Sequence, residues 1–201
     1  ISKSTVSREE GITFFGLDPA KKTVLSVGGS LGAKSINEAL DKDLDMFEQN
    51  NLQLIWQTGK PYVEKAKHAV KGKTGIWAND FITQMEFAYA AADLVISRSG
   101  AMAIAELCVM NKAVIFVPFP FAAEDHQTVN AQNLVNKNAG IMIKDGEALT
   151  LLVPSIITLS KDENKKNELK SNIGKLAVSN ADEIIATEIL KLNLQMDLVD
   201  D

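Results

Sequence analysis

The stretch VLSVGGSLGAKSINEA, residues 24–39, joins an apolar run, a glycine-rich turn and a helical pattern. A strand that runs into such a turn and then into a helix suits a phosphate group, because glycines let the backbone approach and a helix N-terminus attracts an anion. From Gly28 onward the spacing follows the phosphate-binding pattern G-x-x-x-x-G-K-[ST], with Lys34 and Ser35 in place and Ala33 where the second glycine belongs. The stretch predicts a strand, a turn and a helix, and leaves the type of turn to be decided.

Two familiar nucleotide-binding motifs fit this turn poorly. A dinucleotide fingerprint needs G-x-G-x-x-G and an acidic residue after the next strand, but Gly28 and Gly29 are adjacent and the next apolar run ends at Gln57. A P-loop protein needs an Asp at the end of another apolar strand to hold Mg²⁺, and the runs LVIS and AVIFV end without one. A different phosphate-binding turn and a tight turn without a ligand both stay open on this stretch alone.

Short apolar runs alternate with helical patterns along the chain. The runs lack polar alternation, which is typical of strands buried on both faces of a parallel sheet. The expected strands cover residues 24–28, 52–57, 75–78, 94–97, 113–117 and 140–143. The expected helices cover residues 35–49, 61–70, 85–91, 102–110, 126–137, 147–159, 163–176 and 181–191. This order predicts an α/β fold with a doubly wound, mostly parallel, Rossmann-like sheet that binds its ligand at the carboxyl ends of the strands.

The composition indicates a folded protein that does not bind nucleic acid. Apolar residues make up 46% of the 201 residues, enough for a sizeable core, and the net charge is -5. The single cysteine, Cys108, excludes a disulfide framework. We find no signal peptide and no apolar stretch of the about 18 residues that a transmembrane helix needs. We expect residues 1–22 to be a linker or domain start in a fragment of a longer protein, and residues 23–201 to form one domain.

A second strand-to-helix junction lies in residues 93–120, DLVISRSGAMAIAELCVMNKAVIFVPFP. Its helix would begin among small residues, so that the backbone amides of Ala101, Met102 and Ala103 can hold a diphosphate without a metal. Glu106 follows about one turn later, where its carboxylate can accept both hydroxyls of a ribose. A solvent-facing helix glutamate is the alternative interpretation, and its sequence neighbours do not distinguish the two.

A third group of polar residues lies in PFPFAAEDHQTVNAQNL, residues 118–134. Gln127 and Asn130 are three residues apart and share a helix face, and side-chain amides suit the hydroxyls of a sugar. Ordinary helix capping by Asp125 is the alternative interpretation of this group.

Four motifs in the order of the chain resemble the C-terminal half of the MurG family of lipid-linked peptidoglycan N-acetylglucosaminyltransferases. They are VGGSLGA-x-x-(I)N, DFI-x-x-M-x-x-AYAAAD, RSGA-x-x-(I)AE, and VPFP followed by DHQ-x-x-NA, within residues 23–145. Members of this family are two-domain GT-B glycosyltransferases, whose C-terminal domain binds UDP-N-acetylglucosamine. The resemblance implies that this chain is such a C-terminal domain, and that its GGS turn carries Ala33 as a family feature.

The resemblance also implies which residues contact the donor. Ser30 would contact it near the phosphates, Ile82 would hold uracil through its backbone, and Glu106 would bind the ribose hydroxyls. Gln127 would contact the N-acetylglucosamine. The helix start would line the diphosphate and the sugar through Ala101, Met102, Ala103, Ile104 and Ala105. Secondary candidates are Gly28, Gly29, Gly32, Arg98, Ser99, Gly100, His126 and Asn130.

The implied reaction is the inverting transfer of N-acetylglucosamine that converts lipid I to lipid II. It implies no metal, no cofactor and no catalytic residue in this chain, because an N-terminal domain would bind the lipid-linked acceptor and supply the base. It places the whole enzyme in the bacterial cytoplasm, peripheral on the cytoplasmic face of the inner membrane. Two alternatives stay open: a UDP-N-acetylglucosamine 2-epimerase-like GT-B enzyme, and a non-catalytic nucleotide-binding module that depends on magnesium.

Overall fold

The computed structural model describes residues 5–178 and the single positions 183, 186, 187 and 189. In this part of the chain six strands form one sheet: β1 Lys22–Val27, β2 Leu52–Gln57, β3 Ile76–Asn79, β4 Leu94–Ser97, β5 Ala113–Phe116 and β6 Ile141–Met142. The α-helices are α1 Arg8–Phe14, α2 Lys34–Lys42, α3 Asp45–Gln49, α4 Val63–Ala69, α5 Met85–Ala91, α6 Ala101–Met110, α7 His126–Val135, α8 Ala148–Lys161 and α9 Glu163–Gly174. Short 3-10 turns at Ala123–Asp125 and Asp145–Glu147 precede α7 and α8.

Every strand pair in this sheet is parallel, and the strand order is β3-β2-β1-β4-β5-β6. The predicted doubly wound, Rossmann-like sheet is therefore confirmed. β1 and β4 lie side by side at the centre, and the chain continues from them in opposite directions, to β2 and to β5. The loops that follow these two strands diverge, which leaves a crevice at their carboxyl ends.

Each face of the sheet has its own apolar core. Trp56 and Ile96 face α2, α3 and α8, whereas Ile55 and Val95 face α1, α5 and α6. Because successive residues of a strand point to opposite faces, a strand covered by helices on both faces is apolar throughout. This arrangement explains why the strands could be located from continuous apolar runs.

Helix α1 lies in the segment that the composition predicted to be a linker or domain start. It begins with a capping box, in which Ser7 Oγ accepts from the Glu10 amide at 3.2 Å and the Glu10 carboxylate accepts from the Ser7 amide at 2.7 Å. The helix packs on α5, where the rings of Phe14 and Phe87 stack with centroids 4.8 Å apart. The sequence S-R-E-E carried this capping signal, which the linker interpretation overlooked.

Two further helix predictions differ from the structure. The helix expected over residues 35–49 is divided into α2 and α3, because the chain leaves helical geometry at Asp43 and buries Leu44 and Phe47. The helix expected over residues 181–191 lies, apart from four single positions, outside the described residues. In the described part, no helix is both long and apolar enough to cross a membrane.

Candidate functional site

The carboxyl edge of the sheet brings together the three polar stretches that the sequence singled out. The glycine-rich turn follows β1, the turn at Arg98, Ser99 and Gly100 follows β4, and the loop that leads to α7 follows β5. β1 and β4 are adjacent, so the turns after them flank the central crevice of the sheet. The N-termini of α2 and α6 therefore lie on either side of the place where a ligand is expected.

The glycine-rich turn after β1 depends on backbone shapes that favour glycine. Gly29 and Gly32 have φ angles of +75° and +73°, and the Gly32 amide donates to the Gly29 carbonyl at 3.1 Å. Ser30 lies exposed between them. The turn delivers the chain to Ala33, the N-cap of α2, whose side chain makes no capping bond. The first amides of α2 are thus available to an anion.

The loop after β2 holds this turn in place, which the sequence did not reveal. A Cβ on Gly32 would lie 2.1 Å from the carbonyl oxygen of Thr58, and a Cβ on Gly59 would lie 2.1 Å from the Gly32 nitrogen. Asn37 Nδ2 donates to the Thr58 carbonyl at 2.8 Å, and Asn37 Oδ1 accepts from Trp56 Nε1 at 2.8 Å. Close backbone packing and a buried asparagine therefore fix the turn against β2.

The turn after β4 starts α6 without a capping side chain. Gly100 is the N-cap, and its carbonyl accepts the first helical bond from the Ile104 amide at 3.0 Å. The amides of Ala101, Met102 and Ala103 precede that bond and have no acceptor among the described residues. Ala101, Met102 and Ala105 are exposed, and Ile104 is half-buried. The candidates that the sequence named on α6 thus lie at an open helix start.

Side chains of α7 hold the turn after β4 from the other side. Gln127 Oε1 accepts from the amides of Ser99 at 3.3 Å and Phe119 at 3.0 Å. Ser99 Oγ donates to the Gln127 carbonyl at 2.7 Å, and Asn130 Nδ2 donates to the Ser99 carbonyl at 3.2 Å. Gln127 Nε2 has no partner among the described residues. Gln127 therefore fixes the turn with its oxygen and offers its nitrogen to a ligand.

Arg98, a secondary candidate, is engaged by the protein itself. Its Nη1 donates to the carbonyls of Val117 at 2.9 Å and Pro118 at 3.1 Å, and to Asp145 Oδ1 at 2.5 Å. Its Nη2 donates to Ser35 Oγ at 3.3 Å, and Ser35 Oγ donates to Asp145 Oδ1 at 2.5 Å. Arg98 thus ties the start of α2 to the loops after β5 and β6. Lys34 is 84% exposed and pairs with Glu38 along α2.

The two residues that the resemblance assigned to the nucleoside lie next to α5. Ile82 is 2% exposed, and its amide donates to Gln57 Oε1 at 3.2 Å. In the described part its carbonyl has no partner, so the backbone can still accept a hydrogen bond. Glu106 is half-buried on α6, and its Oε2 accepts from Tyr89 Oη at 3.2 Å. One oxygen of the Glu106 carboxylate is thus held by a buried tyrosine, and the assignment of Glu106 to the ribose stays a prediction.

The start of α7 differs from ordinary helix capping. Asp125 is the N-cap with φ of +52°, but its carboxylate accepts from Thr128 Oγ1 at 2.6 Å and makes no capping bond to a backbone amide. Glu124 is also left-handed, with φ of +50°. His126 is exposed, and its Nδ1 lies 2.7 Å from the Ala123 carbonyl. The capping interpretation of Asp125 is therefore wrong in its detail, and two strained residues shape this loop.

Two other features of the described residues concern metal ligands and a second cavity. Among the described residues, no group of three or more His, Cys, Asp and Glu side chains could hold a metal ion. A cavity of about 280 Å³ lies at the opposite edge of the sheet, lined by residues that include Arg8, Tyr89 and Lys112. Burial lowers the pKa of Lys112 to about 8, and the nearby Lys170 adds to this effect. None of the residues that line this cavity is a predicted donor contact.

Comparisons with known proteins agree with this architecture. Residues 23–186 match the model of the glycosyltransferase family 28 C-terminal domain. A curated protein from Parabacteroides distasonis, named UDP-N-acetylglucosamine--N-acetylmuramyl-(pentapeptide) pyrophosphoryl-undecaprenol N-acetylglucosamine transferase, is 46% identical over 194 residues, which are 96% of this chain and 53% of that protein. The protein of the same name from Phocaeicola vulgatus is 48% identical over 191 residues, which are 93% of this chain and 50% of that protein.

A solved structure is similar to this chain in both fold and sequence. The crystal structure of MurG from Acinetobacter baumannii superposes with a TM-score of 0.77 and 29% identity, over 94% of this chain and 54% of that chain. The chain spans about half the length of the curated relatives it matches. These findings confirm the resemblance drawn from the four motifs, and they do not favour the epimerase-like or the nucleotide-module alternative.

Proposed function

The chain belongs to the glycosyltransferase family 28 C-terminal domain family, and we propose that it binds UDP-N-acetylglucosamine as the donor for N-acetylglucosamine transfer. The names of the relatives from Parabacteroides distasonis and Phocaeicola vulgatus support this choice of donor. The acceptor that those names describe is a pyrophosphoryl-undecaprenol carrying an N-acetylmuramyl-pentapeptide.

The convergence of two open helix N-termini carries the proposal. α2 and α6 have nine and ten residues, start from adjacent strands and have no capping side chain. Their free amides and helix dipoles suit the two negative charges of a diphosphate. In transfer, negative charge grows on the UDP leaving group, and preorganised amides would stabilise it without a metal or a cofactor.

The remaining parts of the donor fit around this diphosphate site. The free carbonyl of Ile82 would accept from uracil, and the Glu106 carboxylate would accept from the ribose hydroxyls. The free Nε2 of Gln127 would donate to the N-acetylglucosamine. Each of these groups lies on a loop or helix that leaves the carboxyl edge of the sheet.

We assign the acceptor and the catalytic base to other parts of a full-length protein. The carboxyl edge exposes large apolar side chains, including Leu31 at 81%, Met102 at 73% and Phe121 at 84%, and such a patch suits contact with another protein surface or an apolar ligand. The complete reaction would be conversion of lipid I to lipid II. An undecaprenol-linked acceptor is confined to a membrane, so the whole protein would act at the cytoplasmic face of the inner membrane.

Calorimetric titration of the chain with UDP-N-acetylglucosamine, in EDTA and then in magnesium, tests the proposal. We expect equal binding under both conditions, and about tenfold weaker binding by Glu106→Gln, because the neutral amide is a poorer acceptor for two hydroxyls. Glu48→Gln, an exposed change on α3, is the matched control and should bind as the unmodified chain does. Magnesium-dependent binding of ATP or GTP in place of the UDP-sugar would contradict the proposal.

A further inference from the structure

Tyr89 is a buried residue that the donor contacts do not yet explain. It is 5% exposed on α5 and packs in the core that faces α1 and α6. A buried phenol needs a hydrogen-bond partner, and this one donates to Glu106 Oε2 at 3.2 Å. The bond joins two helices across seventeen positions of sequence.

This bond restricts a carboxylate that would otherwise have several rotamers. A glutamate side chain has three rotatable bonds and loses conformational entropy when it is held in one position. The rigid ring of Tyr89 fixes Oε2, whereas Oε1 of Glu106 has no partner within the described residues. A fixed carboxylate that keeps free lone pairs on both oxygens is suited to accept from two neighbouring hydroxyls.

Helix α5 also connects this bond to the loop that contains Ile82, the expected uracil contact. The helix begins at Met85, three residues after Ile82, and its surface packs on α1 through the stacked rings of Phe14 and Phe87. One short, anchored helix thus directly follows the expected base contact and carries Tyr89. Movement of α5 would displace both nucleoside contacts together.

We propose that Tyr89 is the positioning residue for Glu106, and that it sets the selectivity of the site for a nucleotide with an intact ribose. This inference rests on the proposed function, because it gives Glu106 its role as the ribose acceptor. Burial, followed by the charge of Glu106, raises the pKa of Tyr89, so the phenol stays protonated and donates near neutral pH.

The chain provides its own matched control. It contains two tyrosines, and the second, Tyr62, also donates to a carboxylate, Asp41 Oδ2, at 2.8 Å. Tyr62 lies on the opposite face of the sheet, beside Trp56. Tyr89→Phe and Tyr62→Phe each remove one hydroxyl and its bond to a carboxylate, and both keep the aromatic ring. Tyr62→Phe also removes the bond that Lys65 Nζ donates to the Tyr62 hydroxyl at 2.9 Å.

The test compares dissociation constants for UDP and for its 2′-deoxy analogue, by calorimetry in EDTA. We expect the unmodified chain and Tyr62→Phe to prefer UDP by about tenfold, as a charge-assisted hydrogen bond would give. Tyr89→Phe should lower that preference to about threefold or less by weakening UDP alone, and Glu106→Gln should remove it.

The outcomes separate the inference from the function on which it rests. Two results would overturn the positioning role and leave the proposed function standing. In the first, Tyr89→Phe weakens the binding of UDP and of its 2′-deoxy analogue equally. In the second, Tyr89→Phe keeps the preference for UDP although Glu106→Gln loses it. Failure of the folded, unmodified chain to bind UDP would overturn both. Thermal unfolding of each variant verifies that the substitution leaves the fold intact.

Discussion

The two turns that flank the central crevice reach the same result by different means. The turn after β1 is shaped by left-handed glycines and by direct backbone contact with the loop after β2. The turn after β4 has a Gly100 with φ of -66° and open space around it, and is held by the side chains of Ser99, Gln127 and Asn130. Both expose the start of a helix, but the first depends on the absence of side chains and the second on their presence.

This difference determines which substitutions each turn tolerates. A close approach of two backbones excludes any Cβ, whereas a turn tied by side-chain amides tolerates a methyl group and fails when an amide is removed. The glycines of the first turn are visible in the sequence, although the contact of Gly32 with the loop after β2 is seen only in the fold. The second strategy combines residues about thirty positions apart, and only the fold brings them together.

Alanine at the two glycines should produce the largest contrast. Gly32→Ala should lower the free energy of unfolding by about 3 kcal/mol, because it adds strain at positive φ and a Cβ 2.1 Å from the Thr58 carbonyl oxygen. Gly100→Ala should change it by less than about 0.5 kcal/mol, since nothing lies within 4 Å of the added Cβ. Urea unfolding measures both variants, and equal stability of the two would refute the contrast.

Removal of the Gln127 side-chain amide should lower stability less than Gly32→Ala does, but it should also weaken donor binding. Gln127→Ala leaves the amides of Ser99 and Phe119 without their acceptor, so we expect a loss of about 1 to 2 kcal/mol in unfolding free energy and about tenfold weaker binding of UDP-N-acetylglucosamine. Gln132→Ala, on the same helix with its amide bonded to Asn136, is the control. A variant that loses stability yet binds the donor normally would show that Gln127 serves only the fold.

The prediction with the smallest expected effect on donor binding concerns the pH dependence of stability and lies away from both turns. The pKa of Lys112 is lowered to about 8 from 10.5, first by burial and then by Lys170, so the folded chain releases this proton before the unfolded chain does. Stability should therefore rise from about pH 8 toward pH 10.5, and Lys112→Met should flatten the rise. Donor binding should not follow this profile. A stability profile unaffected by Lys112→Met would contradict the lowered pKa.

Much of this architecture could be predicted from the sequence, because strands covered on both faces leave continuous apolar runs. The strand bounds differ from those predictions by at most two residues. The doubly wound parallel sheet followed from the alternation of strands and helices, and the open start of α6 followed from the small residues at Ser99, Gly100 and Ala101. The capping box of α1 could also have been predicted from the sequence. It was missed because residues 1–22 were interpreted by their composition alone.

The contacts that give the site its rigidity could not be predicted. The Gly32 and Thr58 backbones approach each other between two separate loops, and Tyr89 meets Glu106 between two separate helices. Left-handed geometry at Glu124 has no signal in a sequence without glycine there. Such contacts depend on the relative placement of elements, which local patterns do not encode.

Amide NMR spectra of the isotope-labelled chain, recorded with and without UDP in EDTA, test most directly that a diphosphate sits between the two helix starts. We expect the largest shifts to occur together in residues 30–33 and 101–103, with smaller shifts around Ile82 and Glu106. Shifts confined to residues 110–112 at the opposite edge, or unmoved amides at both helix starts when UDP is saturating, would contradict it.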